Sequence, residues 1–234
     1  MSRRSNGHIR CARCRMHESL CFCAQIPRIA TTTRLLLVIH HTEDRKSTNT
    51  GRLATECLEN SEIVHRGVEM QPNLPLPIPP GTQPILLFPH EDAVQLSEFA
   101  RDGRPVTLIV PDGNWRQAAK VRARTPGLRE IPCVTLAHDA PSRYRLRSEA
   151  HPHGLATIEA IARAFGILES LEVRAALEGV LQTMVDRTLW VRGEVPTAEV
   201  RGGIPQGVMR HEPRTAERIA AQATAALDLR GPRD

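Results

Sequence analysis

An apolar run in the middle of the chain ends abruptly in side chains that could do chemistry. Residues 107–111 lead directly into Asp112, Gly113 and Trp115, and an Ala/Lys/Arg-rich segment follows. This pattern is typical of a buried parallel strand that leads into a helix. Because open α/β sheets bind ligands at the carboxyl ends of their strands, Asp112 and Trp115 are candidate catalytic residues. The alternative is structural, with Asp112 capping the helix and Trp115 covering the sheet edge.

Three other apolar runs also end in polar clusters. Residues 35–39 lead into the polar segment 40–46, residues 85–88 lead into Pro89 and Glu91, and residues 133–136 lead into a loop that contains residues 142–147. Four strands would therefore deliver polar groups to one edge of a sheet. Such a convergence indicates an active site more strongly than any single residue does.

The elements that position these groups alternate between strand and helix. Helices are predicted near residues 91–101 and from Asn114, and a Pro-rich loop is predicted over residues 72–84, as neither helix nor central strand. From Ala156 the apolar spacing turns helical and predicts two core helices. Thr157 and Glu159 lie in the first turn of the earlier helix, either as capping groups or as part of a site. No G-x-G-x-x-G motif follows a strand, which argues against a Rossmann nucleotide fold.

Four cysteines near the N-terminus have the spacing of a metal site. A C-x₂-C-x₆-C-x-C pattern can surround one ion with four thiolates, and a closed Cys₄ shell is typical of structural zinc. A redox pair or an iron–sulfur cluster is the alternative, and His17 is a substitute ligand. Cys57 and Cys133 lie in apolar patterns and are expected in the core. The predicted zinc ligands are Cys11, Cys14, Cys21 and Cys23.

A basic, hydroxyl-rich loop precedes a predicted helix that ends near Glu59. Asn49 or Thr50 would cap this helix, and Arg45 and Lys46 add positive charge. Free backbone N–H groups at a helix N-terminus attract anions. The sequence therefore predicts either an anion site, for an RNA phosphate or a carboxylate, or a simple capping loop.

Composition favours a polyanionic partner and excludes several protein classes. The chain has 234 residues, a formal net charge of +5, 41% hydrophobic and 24% charged residues. Aromatic residues make up 3%, too few for a base-stacking sheet of the RRM type. No apolar segment is long enough to span a membrane and no signal peptide is present, so a cytoplasmic location is predicted. A reducing cytosol makes disulfides unfavourable, which supports metal binding by the cysteines.

The ordered motifs of the chain resemble those of DTW-domain proteins, which are tRNA-uridine aminocarboxypropyltransferases. The resemblance covers nearly the whole chain and departs at Asn114, where the family name implies threonine. An amide, like a hydroxyl, can donate and accept hydrogen bonds. The resemblance rests on the cysteine cluster and on Asn49-Thr50-Gly51, Leu86-Leu87-Phe88-Pro89 with Glu91, Asp112-Gly113-x-Trp115-Arg116-Gln117-Ala118, Ser142-Arg143-Tyr144-x-x-Arg147 and Thr157-Ile158-Glu159-Ala160.

This resemblance implies a SPOUT-like α/β sheet with a trefoil knot, which binds S-adenosylmethionine in loops at the strand ends. It divides the chain into an N-terminal Cys₄ zinc knuckle (1–30), a catalytic DTW domain (31–201) and a C-terminal helical tail (202–234). The implied residues for binding S-adenosylmethionine are Leu87, Phe88, Pro89, Glu91, Asp112, Gly113, Trp115, Ser142, Tyr144, Thr157 and Glu159.

The implied reaction transfers the 3-amino-3-carboxypropyl group from S-adenosylmethionine to N3 of a tRNA uridine, at position 47 of the variable loop, and releases 5′-methylthioadenosine. Asp112 would act as the base or as a positioning group, and Trp115 would stack on adenine or uracil. The alternatives are a SPOUT-like RNA methyltransferase and a non-catalytic zinc-knuckle RNA-binding protein. The sequence leaves open which tRNAs react and whether the protein is a monomer or a homodimer.

An arginine-rich segment is the last candidate site. If residues 142–147 are extended, Arg143, Arg145 and Arg147 point one way and Tyr144 and Leu146 point the other. These arginines would bind RNA phosphates or the donor carboxylate, or would form a solvated edge. The RNA-binding residues predicted in total are Arg45, Lys46, Asn49, Thr50, Arg116, Arg143, Arg145 and Arg147.

Overall fold

A six-stranded, all-parallel sheet forms the centre of the protein. The computed structural model describes residues 9–68, 72–137, 140–146 and 154–210. The strand order is β2-β1-β5-β3-β6-β4, and every neighbouring pair is parallel. The strands are β1 (Arg34–His40), β2 (Ser61–Arg66), β3 (Gln83–Leu87), β4 (Val94–Gln95), β5 (Val106–Asp112) and β6 (Cys133–Thr135).

Five helices connect and cover these strands. Two short ones follow β1, a third follows β5, and two longer ones complete the described fold. They are α1 (His41–Asp44), α2 (Gly51–Cys57), α3 (Trp115–Arg124), α4 (Thr157–Leu168) and α5 (Leu171–Val191). No helix in the described part of the chain is long and apolar enough to cross a membrane.

Apolar side chains cover both faces of the sheet, as expected for buried parallel strands. On one face Leu35, Leu37 and Leu108 pack in a large core with residues of α2, α4 and α5. On the other face Leu36, Val38 and Ile109 form a smaller core, which Leu76 of the Pro-rich segment and Val121 of α3 help to cover. Alternate residues of β1 thus pack into the two opposite cores, and the two cores together fix the position of the strand ends.

Strand register brings the ends of the central strands together. In the pairing of β1 with β5, Ile39 lies opposite Asp112, and in that of β3 with β6, Leu87 lies opposite Val134. Since all strands run in one direction, the polar residues that follow them lie at the same edge of the sheet. The predicted α/β class and the predicted common edge are confirmed.

Two predicted elements are wrong. Residues 91–101 form turns and the short strand β4 instead of a helix, because the Leu96 N–H bonds to the Thr135 carbonyl and adds this segment to the sheet (2.8 Å). Pro84, expected in a loop, lies in the interior strand β3. It is tolerated because β6 pairs with β3 only from Leu86 onward, so no partner requires the missing N–H of proline.

The cysteine-rich segment packs into the large core. Short 3₁₀ turns at Glu18–Leu20 and Cys23–Gln25 shape it. Leu20, Phe22 and Ile26 are buried in the same cluster as residues of α4 and α5. The boundaries 1–30, 31–201 and 202–234 stay a prediction, and residues 211–234 of the expected tail lie outside the described part of the chain.

Candidate active site

A cavity of about 740 Å³ lies at the carboxyl edge of the sheet. This volume is in the range of small-molecule sites, roughly 300–1,000 Å³. Apolar walls come from the ends of β3, β5 and β6, and polar groups come from the loops that follow. Among the predicted site residues, its lining includes Lys46, Asn49, Thr50, Leu87, Phe88, Pro89, Asp112, Gly113, Ser142, Tyr144 and Thr157.

Asp112 is the buried carboxylate of this cavity, with 6% of its surface exposed. The Asn49 side-chain amide donates to Oδ2 and the Thr157 hydroxyl donates to Oδ1, each at 2.5 Å. An ionised carboxylate only accepts hydrogen bonds and has about four acceptor positions, so both contacts fit the charged form. Two separate segments, the loop before α2 and the start of α4, therefore hold Asp112 in place.

Gly51, the first residue of α2, allows this close approach. A Cβ atom at Gly51 would lie 2.8 Å from Asp112 Oδ2 and 3.1 Å from Thr157 Cγ2. Both distances are shorter than ordinary van der Waals contact. Asn49 Oδ1 accepts the Arg52 N–H at 3.0 Å, so Asn49 caps this helix as predicted while its amide reaches Asp112.

Glu159 is buried behind the cavity wall and does not line the cavity itself. Its carboxylate accepts hydrogen bonds from the Ser142 hydroxyl (2.5 Å), the Arg143 N–H (2.7 Å) and the Ala156 N–H (2.8 Å). The Tyr144 hydroxyl donates to the Thr48 carbonyl at 2.8 Å. Glu159 thus combines the predicted capping role with the anchoring of the 142–146 loop, and that loop forms one cavity wall.

Asn114, and not Asp112, caps helix α3. Its side chain accepts the Gln117 N–H at 2.9 Å, and the Gln117 side chain accepts the Asn114 N–H at 2.8 Å. This reciprocal pair is a capping box. The structural alternative for Asp112, capping the helix, is therefore wrong. The Trp115 side chain lies outside the described part of the structure.

The basic residues predicted to bind RNA separate into two groups. Lys46 lines the cavity and forms an ion pair with the buried carboxylate of Glu43. Arg45, Arg116, Arg143 and Arg145 are exposed outside the cavity lining, whereas Tyr144 and Leu146 are buried, which is the predicted alternation. Arg147 lies outside the described residues.

Glu91 does not join the other predicted site residues. It is exposed, is absent from the cavity lining, and lies beside His90 and Asp92. His90 Nδ1 is 3.3 Å from Asp92 Oδ2, and His90 Nε2 is 3.0 Å from Arg122 Nη1.

Sequence reasoning missed two charged cavity residues, Glu43 and Arg163. Arg163 is 9% exposed and donates to the Ala140 carbonyl at 2.5 Å. A signal for Arg163 existed, because it follows Glu159 by four residues and interrupts an apolar helix on the same face. Glu43 lay within the polar segment that follows β1 and carried no distinguishing signal.

The four N-terminal cysteines are grouped as a metal shell requires. Their sulfur atoms all lie within 4.8 Å of one another, with Cys11 to Cys23 at 3.4 Å and Cys14 to Cys21 at 3.8 Å. Tetrahedral zinc with Zn–S bonds of about 2.3 Å separates its sulfurs by about 3.8 Å, so the four side chains fit zinc. Burial raises the pKa of Cys11, but hydrogen bonds from the Cys14 and Arg13 backbone outweigh it and lower that pKa to about 7.

The other two cysteines are buried in the core, as predicted, and all six are free thiols. Burial raises the pKa of Cys57 to about 12 and also raises that of Cys133. Both side chains are therefore neutral, inert core groups near neutral pH.

Two arginines join the cysteine cluster to the helices. Arg187 of α5 is 2% exposed and donates from Nη1 to the carbonyls of Leu20 (3.0 Å) and Cys21 (2.9 Å). Among the described residues it pairs with no carboxylate. Arg13 forms an ion pair with Glu56 of α2 at 2.7 Å. The cluster is thus attached to the helix that begins at Gly51.

A family model places the chain among known proteins. The model of the DTW domain matches residues 8–189, which is most of the chain. The chain belongs to the DTW-domain family. This match includes the cysteine cluster and all the cavity-lining segments.

Three curated relatives of this DTW protein are named tRNA-uridine aminocarboxypropyltransferase 2. The protein from Drosophila melanogaster is 28% identical over 76% of this chain and 74% of its own length. Those from Macaca fascicularis and Mus musculus are each 28% identical over 68% of this chain. The chain spans 56% of the length of each of these two mammalian relatives. No solved structure matches this DTW protein significantly.

The departure from the DTW motif at Asn114 has a physical explanation. Threonine and asparagine are both favoured at helix N-caps, because the side chain of each accepts a backbone N–H of the first turn. The capping distances at Asn114 show that the amide performs this role. The exchange therefore preserves the start of α3 in this DTW protein.

Proposed function

We propose that this DTW protein transfers the 3-amino-3-carboxypropyl group of S-adenosylmethionine to N3 of a tRNA uridine, at position 47 of the variable loop. The by-product is 5′-methylthioadenosine. Family membership and the names of the curated relatives support the reaction class. The observation that carries the proposal is the buried Asp112, held by Asn49 and Thr157 in a large cavity at the sheet edge.

The cavity fits the donor in size and in chemistry. Leu87, Phe88, Val110 and Val134 offer apolar surface to adenine and to the thioether carbons. Lys46 and Glu43 offer a cation and an anion to the amino-acid end, which carries a carboxylate and an ammonium. The proposed donor site comprises the predicted residues that line the cavity, with Glu159 supporting its wall from beneath.

The reaction needs one proton transfer and one displacement. We assign Asp112 to the uracil edge, where its carboxylate accepts the N3 proton. The N3 electron pair then forms a bond to the γ-carbon of the methionine group, the bond from that carbon to sulfur breaks, and sulfur keeps the electron pair. Fixing the γ-carbon, and not the methyl, in line with N3 selects this product over methylation. We keep Trp115 as the stacking partner of adenine or uracil.

The remaining parts of the proposal concern metal, fold and location. The four grouped cysteines would hold a structural zinc, which stabilises a segment too short to fold alone. The all-parallel sheet with its cavity at the strand ends supports a SPOUT-like arrangement, and we propose the trefoil knot that this arrangement implies. A cytoplasmic location suits six reduced cysteines.

One incubation tests the activity. The purified protein is mixed with S-adenosylmethionine and unmodified tRNA, and both the by-product and the altered nucleoside are identified by mass spectrometry. We expect methylthioadenosine and a 3-amino-3-carboxypropyl uridine. S-adenosylhomocysteine with a methylated nucleoside would instead make the protein a methyltransferase. If the protein still binds tRNA but forms no product, it would instead be a non-catalytic RNA-binding protein.

A further inference from the structure

Helix α3 (Trp115–Arg124) is basic along its whole length. It contains four arginine or lysine residues and no acidic residue. Arg116, Lys120 and Arg124 are spaced four residues apart, so they lie along one face of the helix. All three are exposed. We name these three residues the α3 stripe.

The cations of the α3 stripe are not used by the described part of the fold. Within the described ranges, none of the three forms a side-chain hydrogen bond or an ion pair. Arg122, on another face of the same helix, differs, since it bonds to His90 (3.0 Å) and to the Arg129 carbonyl (3.2 Å). The fold therefore uses one cation of α3 internally and leaves a row of three facing solvent.

The α3 stripe begins at the mouth of the cavity and leads away from it. Gly113 and Asn114 line the cavity and directly precede the helix. Arg116 and Arg124 are eight residues apart, which corresponds to about 12 Å along a helix. Gln117 in the first turn reaches the Thr42 hydroxyl of α1 at 3.4 Å, which fixes this end beside the cavity rim.

We propose that the α3 stripe binds the phosphates of the tRNA strand that flanks the reacting uridine. The identification of the ligand as tRNA rests on the proposed function, whereas the presence of three exposed cations in a row does not. A length of about 12 Å matches the rise of roughly three to four nucleotides in one strand of a duplex. Contacts to phosphates carry no sequence information, so the stripe supplies affinity and orientation while the cavity selects the base.

The test measures tRNA binding without the donor, as a function of salt concentration. The variant Lys120→Ala/Arg124→Ala removes two cations and leaves the cavity lining intact. We expect weaker binding, and a plot of log affinity against log salt that is less steep by about 2, because each lost phosphate contact lowers the slope by about 1. The matched control, Arg28→Ala/Arg101→Ala, removes the same charge.

Both control residues are exposed and lie on segments that precede β1 and β5, at the opposite edge of the sheet. Among the residues that the structure describes, Arg28 has only a solvent-exposed contact to Glu59, at 3.9 Å. We expect the control to bind tRNA as the wild type does. Equal affinity and salt slope in the two double variants, or no tRNA binding by the wild type, would overturn the proposal. If the stripe variant loses tRNA binding but the wild-type protein forms no product, the proposed activity is refuted while the proposed role of the α3 stripe in tRNA binding is retained.

Discussion

Asp112 is the residue on which the candidate site depends. It is the last residue of β5, and its two carboxylate oxygens bind groups from the loop before α2 and from the first turn of α4. Such fixation by separate elements keeps a reacting group in one geometry without reorganisation. The carboxylate itself is therefore expected to matter for the chemistry, and its neighbours for its position.

Replacing Asp112 by asparagine tests the carboxylate with little change in shape. Asp112→Asn should lower the turnover number by about 10²- to 10⁴-fold, the usual contribution of a positioned acid or base. Turnover is followed by methylthioadenosine release at saturating tRNA. Asp102→Asn is the control, because Asp102 is exposed at the opposite edge of the sheet and its side chain bonds only to Arg104 among the described residues. Equal turnover in the two variants would remove Asp112 from the mechanism.

Gly51 offers a test of the close packing around Asp112. Gly51→Ala should destabilise the protein by about 1–3 kcal/mol, because the new methyl group overlaps Asp112 and Thr157, which hold each other. Gly179→Ala is the control, since its Cβ would meet only the flexible end of Arg201, at 3.1 Å. In mid-helix that exchange should stabilise by about 0.5–1 kcal/mol. Urea unfolding measures both, and a stabilised Gly51→Ala protein would contradict the packing argument.

Sequence reasoning selected eleven of the residues that line the cavity, but it did not show how they act. Residue type and position after a strand end were enough to select Asp112 and Ser142, whereas Thr157 was selected by its place in the first turn of a predicted helix and by the family resemblance. The sequence could not show that Glu159 acts from beneath the cavity, or that Arg163 lines it. These outcomes depend on how α4 rotates against the sheet, which is decided by packing of the whole core.

At the scale of elements, the start of α3 is set by its capping box. Asn114→Thr should change the free energy of unfolding by less than about 0.5 kcal/mol, since both side chains accept the same backbone N–H. Asn114→Ala should cost about 0.5–2 kcal/mol, because that N–H then loses its acceptor. Thermal unfolding followed by circular dichroism compares the two variants. A threonine variant as unstable as the alanine variant would show that the amide has a role beyond capping.

Arg187 shows how one helix holds the cysteine cluster. Burial lowers the pKa of its guanidinium, while the thiols of Cys14 and Cys21 act in the opposite direction. Arg187→Met should lower zinc affinity by about 10- to 100-fold, because the carbonyls of Leu20 and Cys21 lose their donor and the thiolates lose a nearby cation. Competition with a chromogenic chelator measures this affinity. Arg174→Met, on the same helix but about one-third exposed and paired with Glu178, should retain it.

Strands were more predictable than their surroundings. Long apolar runs predicted β1, β3, β5 and β6, because continuous hydrophobicity is what a strand buried on both faces requires. The strand at Val94–Gln95 has no such run, and it exists because β6 offers it a free edge. The order in which strands pair is likewise a property of the assembled sheet, and local sequence does not encode it.

At the scale of the whole molecule, the cysteine cluster and the sheet share one hydrophobic core. Cys14, Leu20 and Phe22 belong to the same buried cluster as Leu37 of β1 and Phe165 of α4. Ion pairing of Arg13 with Glu56 and the contacts of Arg187 strengthen this connection. A metal bound by the cysteines lies outside the cavity. By ordering the N-terminal segment, it would nevertheless stabilise the candidate active site as well.

Removal of zinc tests this coupling directly. Treatment with a strong chelator should lower the midpoint of thermal unfolding in a single transition, because the knuckle and α5 unfold together. A loss of about 4 kcal/mol corresponds to roughly 8–16 °C in a chain of this size. Calorimetry of the zinc-loaded protein, the chelated protein and the chelated protein after zinc is restored measures the effect and its reversal. Two separate transitions, with the major one unmoved by the chelator, would instead show that the knuckle folds as an independent unit.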